Sequence, residues 1–97
     1  MIRIEGYSFQ GPFLEAITHF EDVPAVYVIL DVNQKKIDVG ETDELKTRLI
    51  GHERRNCWKR NCGEKIFVAF LVVGNEESRR AIEDKIRNSC AMVCGVE

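Results

Sequence analysis

The stretch Ala25-Val26-Tyr27-Val28-Ile29-Leu30-Asp31-Val32-Asn33-Gln34-Lys35-Lys36-Ile37-Asp38-Val39-Gly40 decides the fold. A β-branched and aromatic run over 25–30 predicts a strand, and the polar segment 31–35 predicts a hairpin connection. A second strand follows over 36–40. Five connecting residues are too few for a parallel crossover, so the two strands must be antiparallel. Strict alternation puts Ile37 and Val39 on one face and Asp38 on the other. Gly40 marks the point where the backbone is expected to leave the strand and turn.

Working outward, Thr42 or Asp43 is expected to cap a helix whose first turn carries Asp43 and Glu44. Leu45, Leu49 and Ile50 supply its buried stripe, and Arg48 and His52, four apart, share one face. A basic helix over 53–60 follows, and Gly63 separates it from a strand over 66–73. Gly74-Asn75 reads as a turn with Asn75 as N-cap. The helix 76–89 then carries Ile82, Ile86 and Cys90 at i, i+4 and i+8. On the N-terminal side, residues 2–9 alternate in part and predict an edge strand. Gly11-Pro12 interrupts it. Phe13, Leu14, Ile17 and Phe20 fit a short amphipathic helix or turn, and Pro24 precedes the strand at 25.

The expected architecture is α+β, a small three-stranded and mainly antiparallel sheet flanked by helices as a sandwich. The 97 residues make one domain, 1–97, with a core over 24–95 and an N-terminal extension over 1–23 that adds a strand or an oligomer contact. A 44% apolar fraction and a net charge of −2 exclude a disordered chain and a strongly basic one. No apolar run approaches the roughly 20 residues of a membrane span, so no membrane partner is expected. The first residues lack a signal-peptide pattern, and a cytoplasmic location is the default expectation. Cys57, Cys62, Cys90 and Cys94 are accordingly expected as free thiols rather than disulfides, with zinc ligation as the alternative.

Charge is unevenly distributed. Lys46, Arg48, Arg54, Arg55, Lys59, Arg60 and Lys65 crowd into one stretch that holds only Glu53 and Glu64 as acids. Such a block either holds a polyanion or forms a solvated helical face. Trp58 within it is either a base-stacking residue or a core residue.

Several of these residues also stand in a recognisable order. Ala25-Val26-Tyr27, Asp38-Val39-Gly40, the run Gly40-x-Thr42-x-x-Leu45-x-x-Arg48-Leu49-x-x-x-His52, and Ala81-Ile82-Glu83-x-x-Ile86 together resemble the GIY-YIG nuclease superfamily over residues 24–95. The resemblance is divergent. Ala25 replaces the first glycine, Asp38 replaces the second tyrosine, and the closing asparagine is absent, with Gly95 near its position.

The resemblance implies an endonuclease that hydrolyses DNA phosphodiester bonds with one Mg²⁺ or Mn²⁺ held by Glu83. It implies catalytic roles for Tyr27 as base or proton relay, Arg48 as phosphate fork and His52 in proton transfer or phosphate holding. Asp38 in this setting either joins Glu83 at the metal, pairs with Arg48, or repels substrate and impairs the enzyme. Lys46, Arg54, Arg55, Lys59 and Arg60 would bind nucleic acid. A homodimer or an accessory specificity protein would supply substrate choice. The alternative is a catalytically degenerate domain that binds nucleic acid or a protein without cutting.

Overall fold

The computed structural model describes residues 1–95. Five strands form one sheet: β1 (Ile2–Ile4), β2 (Tyr7–Leu14), β3 (Ala25–Leu30), β4 (Lys36–Thr42) and β5 (Phe67–Val72). Their order is β1-β2-β5-β3-β4, and every neighbouring pair is antiparallel. The helices are α1 (Leu45–Ile50), α2 (Arg55–Cys62) and α3 (Glu76–Ser89). A single 3₁₀ turn spans Glu15–Ile17.

The α+β class and the β3–β4 hairpin agree with the expectation, but the sheet has five strands rather than three. The N-terminal extension supplies a whole hairpin. Gly11-Pro12 does not end it: a register shift between Gln10 and Phe13 accommodates the pair, and β2 runs on to Leu14 along β5. Phe13 and Leu14 therefore lie in a strand and not in a helix. Phe13, Phe20 and Phe70 instead make an aromatic cluster with centroids 6.0–6.4 Å apart.

Every residue of β3 is buried. It is a central strand covered on both faces, which explains its unbroken apolar run. One face carries Ala25, Tyr27, Ile29 and Val68 under Leu45, Leu49 and Trp58. The other carries Val26, Val28, Leu30 and Ala69 under Ile86 of α3, with Ile4, Phe9 and Met92.

The expected sharing of a face by Ile37 and Val39 fails. A register shift between Ile29 and Leu30 puts an extra residue into β4. Val39 faces Val28 in the second core, and Ile37 enters the first. Asp38, opposite Ile29, is fully buried.

Helix ends follow local chemistry in part. Asn75 caps α3 by accepting from the Ser78 N–H at 2.9 Å, as expected. The start of α1 differs. Neither Thr42 nor Asp43 is its N-cap, because the helix begins at Leu45 after Glu44. Asp22 supplies the missing acceptor from a distance, taking the Thr47 N–H at 2.8 Å and its hydroxyl at 2.9 Å. Asp43 turns instead to Arg79, a buried arginine on α3 that also donates to Glu41 Oε1 at 2.9 Å and to the Val73 and Gly74 carbonyls. This arginine joins the first turn of α3 to the end of β4.

The cysteine expectation is also overturned. Cys57 on α2 and Cys94 in the C-terminal segment form a disulfide, and Cys62 and Cys90 are free. Spacing along the chain could not reveal it, because the fold brings the two together across 37 residues. The Cys94 N–H also donates to the Ile37 carbonyl at 2.8 Å, so the tail covers the outer edge of β4.

Closing a loop of that length is worth about 3–4 kcal/mol in the chain-entropy account. Thiol titration of the denatured, unreduced protein should therefore find two thiols, and reduction should lower the urea-unfolding free energy by about that amount. Four thiols in the unreduced protein would remove the cross-link from the fold.

Candidate functional site

Tyr27 lies in the middle of β3, directly across from Gly40 of β4. A Cβ on Gly40 would sit 2.3 Å from the Tyr27 hydroxyl. Glycine is therefore demanded by the ring lying over it, and not by a turn, since Gly40 stays within β4. Burial pushes the Tyr27 phenol up to about 12, against the opposing pull of the Arg48 guanidinium beside it. At neutral pH Tyr27 is a neutral hydroxyl and not a base.

Arg48 sits in the last turn of α1, half-exposed. Its fork is held by Glu53, with Nη1–Oε2 at 2.8 Å and Nη2–Oε1 at 2.9 Å. That pair lowers the Glu53 carboxyl to about 2. The partner is Glu53 from the loop after α1, so Arg48 belongs to the site wall and not to an i−4 pair along its helix.

His52 falls beyond the end of α1, yet it still reaches Tyr27. The two rings meet edge to face with centroids 5.9 Å apart, and the imidazole lies 4.4 Å from the Trp58 ring. Its side chain is wholly buried. The Arg54 N–H donates to Nδ1 at 3.0 Å, which assigns the proton of the neutral ring to Nε2. Nε2 is the one buried side-chain nitrogen or oxygen among the described residues without a hydrogen-bond partner. Burial first, then the charges of Arg48 and Arg54, lower the imidazole to about 4. His52 is thus a neutral N–H donor at neutral pH, with its lone pair already engaged.

Asp38 is not paired with Arg48, and it shares Arg87 Nη2 with Glu83, at 3.4 and 3.7 Å, while other donors take both its oxygens. Arg54 binds it side-on, Nε to Oδ2 at 2.7 Å and Nη2 to Oδ1 at 3.3 Å. The Trp58 indole N–H donates to Oδ2 at 2.8 Å, and the Val39 N–H donates to Oδ1 at 2.9 Å. Arg87 Nη2 stands 3.4 Å from Oδ1. Trp58 is therefore a core residue with its polar end on Asp38, and it presents no face for base stacking.

Glu83 lies on α3, partly exposed, with Arg87 Nη2 at 3.7 Å. No described residue donates it a hydrogen bond. Burial raises its carboxyl, only partly offset by Arg87, and the Arg54 charge acts on both Glu83 and Tyr27. Tyr27, Arg48, His52, Asp38 and Arg54 thus form one contiguous group, and Glu83 joins it through the arginines.

The remaining basic residues disperse. Arg55 is clamped by Glu15 through two 2.8 Å bonds and donates to the Leu49 carbonyl, so it serves the fold. Lys46 and Arg55 line a cavity of about 440 Å³ with Phe20, Leu49 and Ile50, which none of the Tyr27 group enters. Lys59 lines another hollow beside Gly63 and Lys65. Lys59 and Arg60 are exposed and make no ion pair with a described residue.

Sequence reasoning missed Arg79 and Arg87. A signal for the first existed: Arg79 stands three before Ile82 on the apolar stripe of α3, where a charge needs a buried partner.

No group of three His, Cys, Asp or Glu side chains among the described residues is placed to hold a metal ion. Glu83 alone still fits the single carboxylate that a largely hydrated divalent ion requires, because its oxygens are free of hydrogen-bond donors from the described residues. None of the described helices is long and apolar enough to cross a membrane. No protein-family model matches the chain, and comparison with curated proteins and with solved structures finds no match either.

Two outcomes follow from this geometry. Gly40→Ala should destabilise the protein by about 1–3 kcal/mol, because the Tyr27 ring must leave its place. Equal urea midpoints for wild type and variant would contradict the contact. His52 should titrate near 4 in the folded protein and near 6.5 in the unfolded chain. Above pH 6.5 neither state binds the proton, so His52 adds no pH dependence. Between 6.5 and 4 only the unfolded state binds it, and stability falls by on the order of 3 kcal/mol. An imidazole NMR midpoint near 6.5 in the native state would refute the buried, neutral assignment.

Proposed function

We propose that this chain is a divergent GIY-YIG-type endonuclease acting on DNA phosphodiester bonds with one divalent ion. The observation that carries the reading is Glu83, a partly buried carboxylate whose pKa is raised by burial and which no described residue hydrogen-bonds. Arg87 stands 3.7 Å from it, and the charge of Arg54, which also acts on Tyr27, reaches it. A carboxylate left in that condition is suited to a cation.

Glu83 would hold Mg²⁺ or Mn²⁺ together with water, and the ion when bound would neutralise charge at the reacting phosphate. Arg48 supplies a planar fork for a phosphate oxygen. Glu53 occupies it in the free protein and is itself 59% exposed, so an anion can take its place. Tyr27, held neutral, donates its hydroxyl proton in a hydrogen bond and orients the phosphate or the attacking water. His52 does not shuttle protons at neutral pH. It fixes the loop carrying Arg54 and fills the space between Tyr27 and Trp58.

One observation favours a second reading. Asp38 replaces a hydroxyl that would face substrate, and both its oxygens are taken by Arg54, Trp58, Arg87 and a backbone N–H. A domain that has lost this contact could bind DNA without cutting it.

Plasmid nicking with Mg²⁺ or Mn²⁺ separates the two. Glu83→Gln should abolish cleavage, and Arg48→Ala should slow it by about 10²-fold or more, the usual cost of one donor at a developing charge. Metal-dependent nicking that survives both substitutions would sink the proposed site. No cleavage of any DNA form, with binding retained, would move the assignment to the binding module.

A further inference from the structure

Arg54 and Arg87 lie far apart in sequence, on the first turn before α2 and on α3, and both close on one buried carboxylate. Their side chains keep 29% and 27% of their exposure, so each guanidinium has an inner side on Asp38 and an outer side in water. The inner donors are accounted for. Arg54 uses Nε and Nη2 on Asp38. Arg87 uses Nη2 on Asp38 and the Val39 carbonyl, and Nη1 on the Gly95 carbonyl at 3.3 Å.

The outer donors are not. Arg54 Nη1 and Arg87 Nε make no hydrogen bond to a described residue. The nearby carboxylates, Glu53 at 3.9 Å from Arg54 Nη1 and Glu83 at 3.7 Å from the already engaged Arg87 Nη2, are beyond hydrogen-bond distance. A phosphate oxygen could approach closer than either.

The C-terminal segment makes the arrangement tight. A Cβ at Gly95 would lie 3.0 Å from Arg87 Nη1, 3.0 Å from Asp38 Oδ1 and 3.1 Å from Arg54 Nε. Gly95 has φ +78°, and Cys94 beside it is fixed to Cys57 and to the edge of β4. A glycine at this point lets the tail close over the two arginines without pushing them apart. One carboxylate holds the planar forks of both arginines in place before any ligand arrives.

We propose that Arg54 and Arg87, anchored by Asp38, form a fork that holds one backbone phosphate of bound nucleic acid. Asp38 is its positioning residue and touches no ligand. The fork would replace, with two fixed guanidiniums, the phosphate contact that a hydroxyl at position 38 would have made. The inference rests on the nucleic-acid reading above, but not on cleavage.

The test is fluorescence anisotropy of a labelled duplex oligonucleotide, without divalent metal, across a salt series. Each phosphate contact contributes about 0.9 to the slope of log K against log salt. Arg87→Gln and Arg54→Gln should each lower that slope by about 1 and weaken binding several-fold at low salt, whereas Arg87→Lys should keep the slope. Should a glutamine variant fail to fold, the wild-type protein still decides: the Arg87 Nε–H resonance should shift when the oligonucleotide is added.

DNA binding with an unchanged slope in Arg87→Gln, or with an unmoved Arg87 Nε–H signal in the wild type, overturns the fork. Nicking could then persist, so the enzyme reading would stand alone. Reduced slope without any metal-dependent nicking supports the fork and counts against the nuclease. Absence of DNA binding at every salt concentration overturns both.

Discussion

A carboxylate in the dry interior of the edge strand is the constraint on which the rest depends. Asp38 is completely buried. An unpaired carboxylate there would cost several kcal/mol, so the fold must bring donors to it. It does so from four directions: Arg54 from the loop before α2, Trp58 from α2, Arg87 from α3 and the backbone of Val39. Strict alternation from Gly40 through Val39 turns Asp38 to the face of Tyr27 and Ile29, and the register shift between Ile29 and Leu30 brings Ile37 to that same core. Without the extra residue, strict alternation would have given Ile37 and Val39 one face. Two helices that cover opposite faces of the sheet are thereby tied to the same side chain. Removing one partner of such a group leaves a stranded charge, which is far worse than never having buried it.

The same constraint explains what was legible in the sequence and what was not. The β3–β4 hairpin was readable because its signal is local: a β-branched run, a polar turn of five, and a second run. Helix α3 was readable because Asn75 and the stripe Ile82–Ile86 are local too. The five-stranded sheet was not, since Gly11-Pro12 looks like a stop and only pairing with β5 carries the strand through it. The N-terminus of α1 was misread because its acceptor, Asp22, lies 25 residues from Thr47. The disulfide joins residues 37 apart, and nothing in the spacing of four cysteines selects Cys57 and Cys94. Within the site, Tyr27, Arg48, His52 and Glu83 could be singled out by residue type and order. Their protonation could not, because burial sets it and burial is a property of the whole sheet.

Burial in fact reshapes the chemistry those residues offer. Tyr27 and His52 are both driven to their neutral forms, the phenol upward and the imidazole downward, and for the same reason. Neither can carry charge at neutral pH. The charges run from the rim to the buried Asp38 and back, with Arg48, Glu53, Arg54, Asp38, Arg87 and Glu83 alternating in sign along a continuous line. Arg54 and Arg87 are each shared between two acids, and the contacts at 3.7 and 3.9 Å are the loosest in the line. A phosphate entering the line would exchange weak pairs for short, charge-assisted hydrogen bonds and strand few charges.

This changes what the aspartate at position 38 means. Viewed as a residue in a row of letters, it removes a hydroxyl and adds a repelling charge. Viewed in the fold, its charge never meets the solvent, because Arg54 and Arg87 cover it and outnumber it. Gly95 belongs to the same solution, since a side chain there would wedge between the two guanidiniums.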